Sequence, residues 1–280
     1  MGCSKAAALC AAAIAIACST TPTFDDDDLA GIDRCESDDD CDGRTCCTGR
    51  CEDLSLSMRA CGSCGNSCTP ASYCTGVQCA PFRVGTICEN PEILVVHRQG
   101  KFVDGSTDDP GPDNLAADAL AAALADVCGD TTPPAVAPEE GFLQGENEGP
   151  LTTGRGTALI VAGGRVFSGI INYLDNADMT PVELVLGSDG VDFQLVSRSQ
   201  RRVIVADRLS TLSDTHDYVI GQAIYDATSG TQVLNVYGIF RGGTTVGAQY
   251  FGNLGQATTA GTRWFVAKIE NGSVTRLAGE

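Results

Sequence analysis

The chain reads CENPEILVVHR over residues 88–98 and, beyond a loop rich in Gly, Asp and Pro, PDNLAADALAAALADVCG over residues 112–129. The apolar run at residues 93–96 is typical of a short buried strand. In the second segment, Ala and Leu recur at helical spacing from residue 114 to residue 127. Together the two segments predict a strand followed by a helix that packs back against it.

Two cysteines flank this strand–helix unit. Cys88 precedes the predicted strand, and Cys128 follows the apolar stripe of the predicted helix. Because the helix runs back alongside its strand, its last turn lies near the point where the strand begins. We therefore predict a Cys88–Cys128 disulfide, which leaves the ten cysteines from Cys35 to Cys79 to pair among themselves.

The alternation of strands and helices continues through residues 89–280, which are numerous enough for one globular core. The predicted strands cover residues 158–162, 182–186, 193–197, 202–206 and 232–240. The predicted helices lie around residues 167–174, 214–227 and 245–254, and residues 130–156 are expected to be irregular. Asn271-Gly272 suits a type I′ turn and predicts a closing hairpin of residues 264–270 and 273–277. We interpret this region as an α/β domain with a mainly parallel sheet, helices on both faces and a C-terminal antiparallel hairpin.

Residues 35–80 form a second region, a small disulfide-rich module that has few large apolar residues. Its cysteines are Cys35, Cys41, Cys46, Cys47, Cys51, Cys61, Cys64, Cys68, Cys74 and Cys79. Because so few apolar side chains cannot supply a core, covalent cross-links must hold the fold. The even number is consistent with five disulfides, whose connectivity the sequence leaves open. The spacing of Cys61 and Cys64 would also suit zinc, but an export signal upstream favours disulfides.

The central part of this module carries a recognisable pattern. Residues 46–54 read CCTGRCEDL, and residues 61–68 read CGSCGNSC. They resemble the CCxGxCxDL and CGxCGxxC elements of Stig1-type cysteine-rich modules, which recur in secreted plant proteins and in predicted lipoproteins of myxobacteria. Ala60 stands where the family has an Asn before the second element. The resemblance implies a secreted, surface-exposed module and implies no catalysis.

The first 17 residues are typical of an export signal. One charge, Lys5, precedes an unbroken apolar run that is too short to span a bilayer. The run ends in Ala15-Ile16-Ala17-Cys18-Ser19, which resembles a bacterial lipobox and implies acylation of Cys18. The same residues would also suit Ala-x-Ala cleavage without a lipid. We predict an exported outer-membrane lipoprotein, periplasmic or surface-exposed, with residues 1–17 as signal peptide and residues 18–34 as a lipidated acidic tether.

Acidic side chains outnumber basic ones, and the chain has a formal net charge of −18. Four consecutive aspartates at residues 25–28 place part of that charge in the tether. The balance repels phosphates, so we expect no nucleic-acid partner. The aspartate run lacks the ligand pattern of an EF-hand and predicts a solvated spacer, with weak cation binding left open. We expect neither a metal nor a cofactor.

The chain contains none of the short motifs of serine hydrolases, zinc peptidases, dinucleotide-binding or P-loop proteins. The candidate ligand-binding positions instead follow predicted strands, where α/β proteins place their sites. They are His97, Gly163, Gly164, Arg241, Gly242, Gly243, Thr244 and Thr245. Glycine turns that open a helix can offer amides to an anion, although any tight turn also needs glycine for steric reasons. His216, in the acidic first turn of the helix predicted over residues 214–227, receives no metal or acid–base role.

These observations favour a lipid-anchored envelope protein that binds an unknown protein, glycan or small molecule without catalysis. One alternative is an extracytoplasmic, hydrolase-like enzyme with its site at the carboxyl-terminal rim of the strands. Another is a structural component, because the glycine turns after apolar strands are similar to those of surface-layer protein repeats.

Overall fold

The computed structural model describes residues 34–69, 72–98, 112–130, 132–144, 150–164, 168–253 and 261–280. These residues form a disulfide-rich amino-terminal module and a mostly sheet domain. The predicted signal peptide, Cys18 and nearly all of the acidic tether lie outside the described residues. Within the ranges above, no helix combines the length and the apolar character needed to cross a membrane.

The strands of the molecule belong to two short hairpins and two larger sheets. They are β1 (Thr45–Cys47), β2 (Arg50–Glu52), β3 (Ser72–Cys74), β4 (Cys79–Pro81), β5 (Glu92–His97), β6 (Ala135–Pro138), β7 (Thr157–Ala162), β8 (Val182–Leu186), β9 (Asp192–Ser197), β10 (Arg202–Arg208), β11 (His216–Asp226), β12 (Thr231–Gly238), β13 (Trp264–Glu270) and β14 (Ser273–Gly279). The α-helices are α1 (Pro112–Cys128), α2 (Gly169–Asn176) and α3 (Arg241–Asn253). β1 pairs with β2 and β3 with β4 in the module, and β8, β9 and β10 form an antiparallel sheet. The other strands form one seven-stranded sheet in the order β14-β13-β11-β12-β7-β5-β6.

Five disulfides cross-link the module, and a sixth lies in the sheet domain. The five are Cys35–Cys46, Cys41–Cys51, Cys47–Cys64, Cys61–Cys74 and Cys68–Cys79. Each bond closes inside the module, which is therefore covalently self-contained. The sixth joins Cys88 to Cys128 across a Cα–Cα distance of 5.3 Å and matches the pair predicted from the strand–helix geometry.

The seven-stranded sheet is mixed rather than mainly parallel. β12, β7, β5 and β6 lie side by side in parallel. In contrast, β11 runs antiparallel to β12, and β13 and β14 continue that alternation to the edge. The predicted C-terminal hairpin is present and turns at Asn271 and Gly272, both with positive φ, as a type I′ turn requires.

The helix predicted over residues 214–227 is wrong, because this segment is strand β11. Val219 and Ala223 pack in one core with residues of α1 and α3. Ile220, the next residue after Val219, packs in a second core with the three-stranded sheet. Neighbouring side chains therefore point to opposite faces, as in a strand. Because both faces are buried, β11 lacks the alternation of polar and apolar residues that marks a half-exposed strand. Residues four apart share a face in a helix and in a strand, so the apolar spacing fits both.

Two other expectations need adjustment. Residues 130–156 contribute a strand, β6, at the edge of the large sheet, where Pro138 can end the strand without breaking a ladder. The helix predicted over residues 245–254 begins earlier, at Arg241. The glycine pair that follows Arg241 thus lies inside the first turn of α3 and not in a loop before it.

The connection between the module and the sheet domain is part of the core. Phe82 and Ile87, both buried, pack with the core that contains α1 and the sheet. The rings of Tyr73 in the module and Tyr225 in β11 lie 5.8 Å and 6.4 Å from the ring of Phe82. We call residues 82–90 the connector, which joins the two regions through packed side chains instead of a free linker.

Candidate functional site

The carboxyl ends of β6, β5, β7 and β12 form one edge of the large sheet, called here the carboxyl edge. The strand register pairs His97, at the end of β5, with Ala162 of β7, and pairs Ala162 with Val236 of β12. Gly163 follows β7 directly, and Arg241 begins α3 shortly after β12. The structure therefore places the sequence-predicted positions along this edge.

His97 makes a local contact at the carboxyl edge. Its side chain is nearly buried, and its Nδ1 lies 3.2 Å from the carbonyl oxygen of Arg98. In the part of the chain that the structure describes, only disulfide-bonded cysteines group closely enough to hold a metal ion. His97 therefore has the environment of a residue that closes the end of a strand.

The glycine turn after β7 is shaped by two residues of β12. Asn235 donates from Nδ2 to the carbonyl oxygens of Val161, at 3.1 Å, and Gly163, at 2.9 Å. Gly163 has a φ of 130°, which favours glycine. A Cβ added at Gly164 would overlap the ring of Tyr237. Both glycines thus have steric reasons to be there.

An internal carboxylate occupies the start of α2. Glu139 is fully buried and accepts hydrogen bonds from Ser168 Oγ, at 2.6 Å, and from the Gly169 amide, at 2.9 Å. Ser168 Oγ in turn accepts from the Ile171 amide as the N-cap of α2. Burial raises the pKa of Glu139, while the bonds from Ser168 and Gly169 act to lower it. The helix start that could receive an external anion therefore already holds an acidic group.

A second internal carboxylate occupies the start of α3. Asp217 is fully buried and accepts hydrogen bonds from the amides of Tyr218, at 2.7 Å, and Phe240, at 3.0 Å. Burial raises the pKa of Asp217 to about 7, while backbone bonds from Tyr218, Phe240, Gly243 and Ile239 act to lower it. A Cβ added at Gly243 would overlap the Asp217 carboxyl group, so glycine is required here.

The remaining predicted positions lie in the same turn, at the start of α3. Thr244 is buried, and its Oγ1 accepts a hydrogen bond from the Gly238 amide at 3.1 Å. Gly242 and Thr245 lie in the first turn of α3 beside it. The carboxyl edge thus brings these positions together, and Gly243 and Thr244 are buried within the fold.

Sequence reasoning missed both internal carboxylates. The sequence pattern places Asp217 in the acidic first turn of a predicted helix, although its backbone belongs to β11. Glu139 follows Pro138 in a segment expected to be irregular. Because each carboxylate meets a helix start that is distant along the chain, only the tertiary fold reveals its partner.

His216 precedes Asp217 at the start of β11, and its ring packs against Tyr218, which belongs to the core formed with the three-stranded sheet. Its Nε2 lies 3.6 Å from Oδ2 of Asp207, and its Nδ1 lies 3.9 Å from Oε1 of Glu270. The same Asp207 oxygen accepts a hydrogen bond from Tyr218 Oη at 2.8 Å. The two carboxylates lie against different ring nitrogens, which suits a network of polar side chains and not a shared metal.

A cavity of about 200 Å³ lies between the module and the sheet domain, where no sequence signal had placed a site. The module contributes Tyr73 and Thr75, and the sheet domain contributes Glu89, Arg155 and Tyr225. The Arg155 guanidinium group donates to the backbone carbonyl of Thr75 and so bridges the two regions. The only hint in the sequence is Tyr73, an aromatic residue in a module that has few large apolar side chains.

Comparison with protein families, with curated proteins and with solved structures finds no match to this chain. The functional argument therefore rests on the residues and geometry described above.

Proposed function

We propose that this chain is an exported, lipid-anchored envelope protein that binds a ligand without transforming it. The observation that carries the proposal is the closure of the carboxyl edge. Glu139 and Asp217 occupy the starts of α2 and α3, the positions where an α/β enzyme would bind an anionic group of its substrate. The hydroxyl of Ser168 is bonded to Glu139 and to a backbone amide, so it is not a poised nucleophile.

The cysteines support the export part of the proposal. Each of the twelve cysteines in the described ranges is disulfide-bonded. Such a density of disulfides is typical of extracytoplasmic proteins, where thiols oxidise. The lipobox-like sequence at Cys18 supplies the anchor, and the Stig1-like pattern fits a module displayed outside the cell.

We further infer that helices cover both faces of the large sheet. Leu120 of α1 packs in one core with Val95 of β5, whereas Ile170 of α2 packs in another core with Val96, the next residue of that strand. The three-stranded sheet covers β11 and β13 through residues such as Phe193. With its faces covered in this way, the sheet can meet a ligand at its edges and at the junction with the module.

Expression of the full chain in a Gram-negative host with an alkyne fatty acid tests the anchor. We expect label on the wild type, recovery with the outer membrane, and no label on C18A. A panel of ester, glycoside and phosphate substrates, with a fluorophosphonate probe, tests the absence of catalysis. An unlabelled wild type would contradict the anchor, and turnover abolished by S168A would contradict the non-catalytic role.

A further inference from the structure

The junction cavity has walls that are fixed before any ligand arrives. Besides the Thr75 carbonyl, the Arg155 guanidinium contacts the carbonyl oxygen of Ser55 at 3.4 Å. On the domain side, Asn90 donates from Nδ2 to Gln232 Oε1, at 3.0 Å, and to the Ile87 carbonyl, at 3.0 Å. The groups that line the cavity are therefore held by bonds to both regions, as in preformed ligand sites.

Two tyrosines give this cavity an apolar corner. The rings of Tyr73 and Tyr225 lie 5.9 Å apart and are tilted by 53°. Each ring also packs against Phe82 of the connector, so neither can turn away freely. Two inclined aromatic faces suit a compact ligand that presents C–H groups on its flat side.

The Tyr225 hydroxyl is buried and has no hydrogen-bond partner among the described residues. A buried hydroxyl without a partner costs free energy, so a polar group that reaches it after a small displacement of the tyrosine ring is favoured. Burial raises the pKa of Tyr225 to about 12, and the positive charge of Arg155 opposes that rise. The hydroxyl is thus neutral at physiological pH and can both donate and accept.

Tyr73 is subject to similar influences. Burial and the negative charge of Glu89 raise its pKa, and Arg155 acts to lower it. Arg155 thus favours the ionised form of both phenols, and all three residues line the cavity.

The charges of the cavity are balanced. Glu89 is negative and Arg155 is positive, and backbone carbonyls of the module already engage the Arg155 guanidinium. An ionic ligand would therefore find no net opposite charge. The available groups are phenols, amides and one carboxylate, which together suit a neutral molecule with several hydroxyls. A volume of about 200 Å³ lies below the range of ~300–1,000 Å³ typical of drug-sized ligands, so one small ring fits best.

We propose that the junction cavity binds one neutral sugar ring, at the end of a glycan or free in solution. The ring would place a C–H face on the tyrosine corner and a hydroxyl against Tyr225 Oη. This inference rests on the proposed function as a non-catalytic binding protein, and it names the class of ligand.

The test uses the mature, oxidised protein and saturation-transfer NMR. The probes are neutral hexoses and N-acetylhexosamines, with inorganic phosphate and glycine as charged comparisons. We expect a neutral sugar to bind with a Kd on the order of millimolar. Y225F removes only the hydroxyl and should weaken binding about tenfold, the value of one hydrogen bond. Y250F changes a tyrosine of α3 that packs on Phe265 of β13, and it should leave the affinity unchanged.

Three results would overturn the inference. One is the absence of binding by any neutral sugar up to roughly 100 mM, where weak affinities are still measurable. Another is equal affinity in the wild type and Y225F, and the third is tighter binding of phosphate or glycine than of every neutral sugar. If fatty-acid labelling and the absence of turnover hold while sugar binding fails, the proposed function stands with a different ligand.

Discussion

The two ends of the parallel strands use their polar groups differently. At the carboxyl edge, Glu139 and Asp217 accept the amides that open α2 and α3, so these groups are partnered within the fold. At the amino ends, next to the module, Tyr225 Oη is buried without a hydrogen-bond partner in the described ranges, and Tyr225 lines a cavity. The polar groups of the edge where α/β proteins usually bind ligands are thus engaged by the fold, whereas the junction with the module contains a cavity.

Removing the carboxyl group at the start of α3 should give the largest effect on stability. D217A leaves the amides of Tyr218 and Phe240 buried without acceptors, at a cost of about 3 kcal/mol or more. Urea unfolding at pH 5 measures the loss, and D118A, in an exposed acid of α1, should change stability by less than about 0.5 kcal/mol. Equal stability of both variants would contradict the structural role of the carboxyl edge.

The pH dependence of stability should report the same group. The pKa of Asp217 is about 7 in the folded protein and 3.8 for the unperturbed group. A raised pKa means that the folded state binds the proton more tightly than the unfolded state does. The resulting contribution to the free energy of unfolding is complete below about pH 4 and is lost as the pH rises to about 7. The loss should be about 2–4 kcal/mol. Unfolding between pH 4 and pH 8 should show this decline in the wild type and a smaller one in D217N.

Breaking the contact between the two regions should have a moderate effect. R155A removes the bonds to the carbonyls of Thr75 and Ser55 and should cost about 1–2 kcal/mol. Hydrogen exchange should show lower protection in the module and unchanged protection in β5 and β7. R202A, in an exposed arginine of β10, serves as the control. Equal loss of protection across the whole chain would show that Arg155 does not act at the junction.

The smallest effect should come from the unpaired hydroxyl. Without ligand, Y225F should raise stability by up to about 1 kcal/mol, because it removes a buried polar group that has no partner in the described part of the chain. Y218F should do the opposite and cost about 1 kcal/mol, since Tyr218 Oη donates to Asp207. Thermal unfolding of the two variants compares them directly. A clear loss in Y225F would mean that the hydroxyl is already satisfied.

The parts of the fold that the sequence predicts well are local. The strand at residues 93–96, the helix ending near Cys128 and the hairpin at Asn271-Gly272 each have a periodicity or a turn signal of their own. The Cys88–Cys128 pair follows from those elements because a returning helix leaves few places for its end.

The parts that escaped prediction depend on distant contacts. β11 is buried on both faces, so its apolar pattern fits a helix equally well until its neighbours are known. The parallel and antiparallel halves of the sheet differ in pairing, which no local pattern records. The junction cavity needs Tyr73 and Tyr225, from different regions, to meet. Such pairs can be seen only after folding.

The connector has a mechanical consequence. Phe82 and Ile87 are anchored in the core, and the Cys88–Cys128 bond fastens its last turn to α1. A change of angle between the module and the sheet domain would displace Phe82 and Ile87 from the core. We therefore expect the connector to resist such a change when the amino-terminal end of the module is pulled.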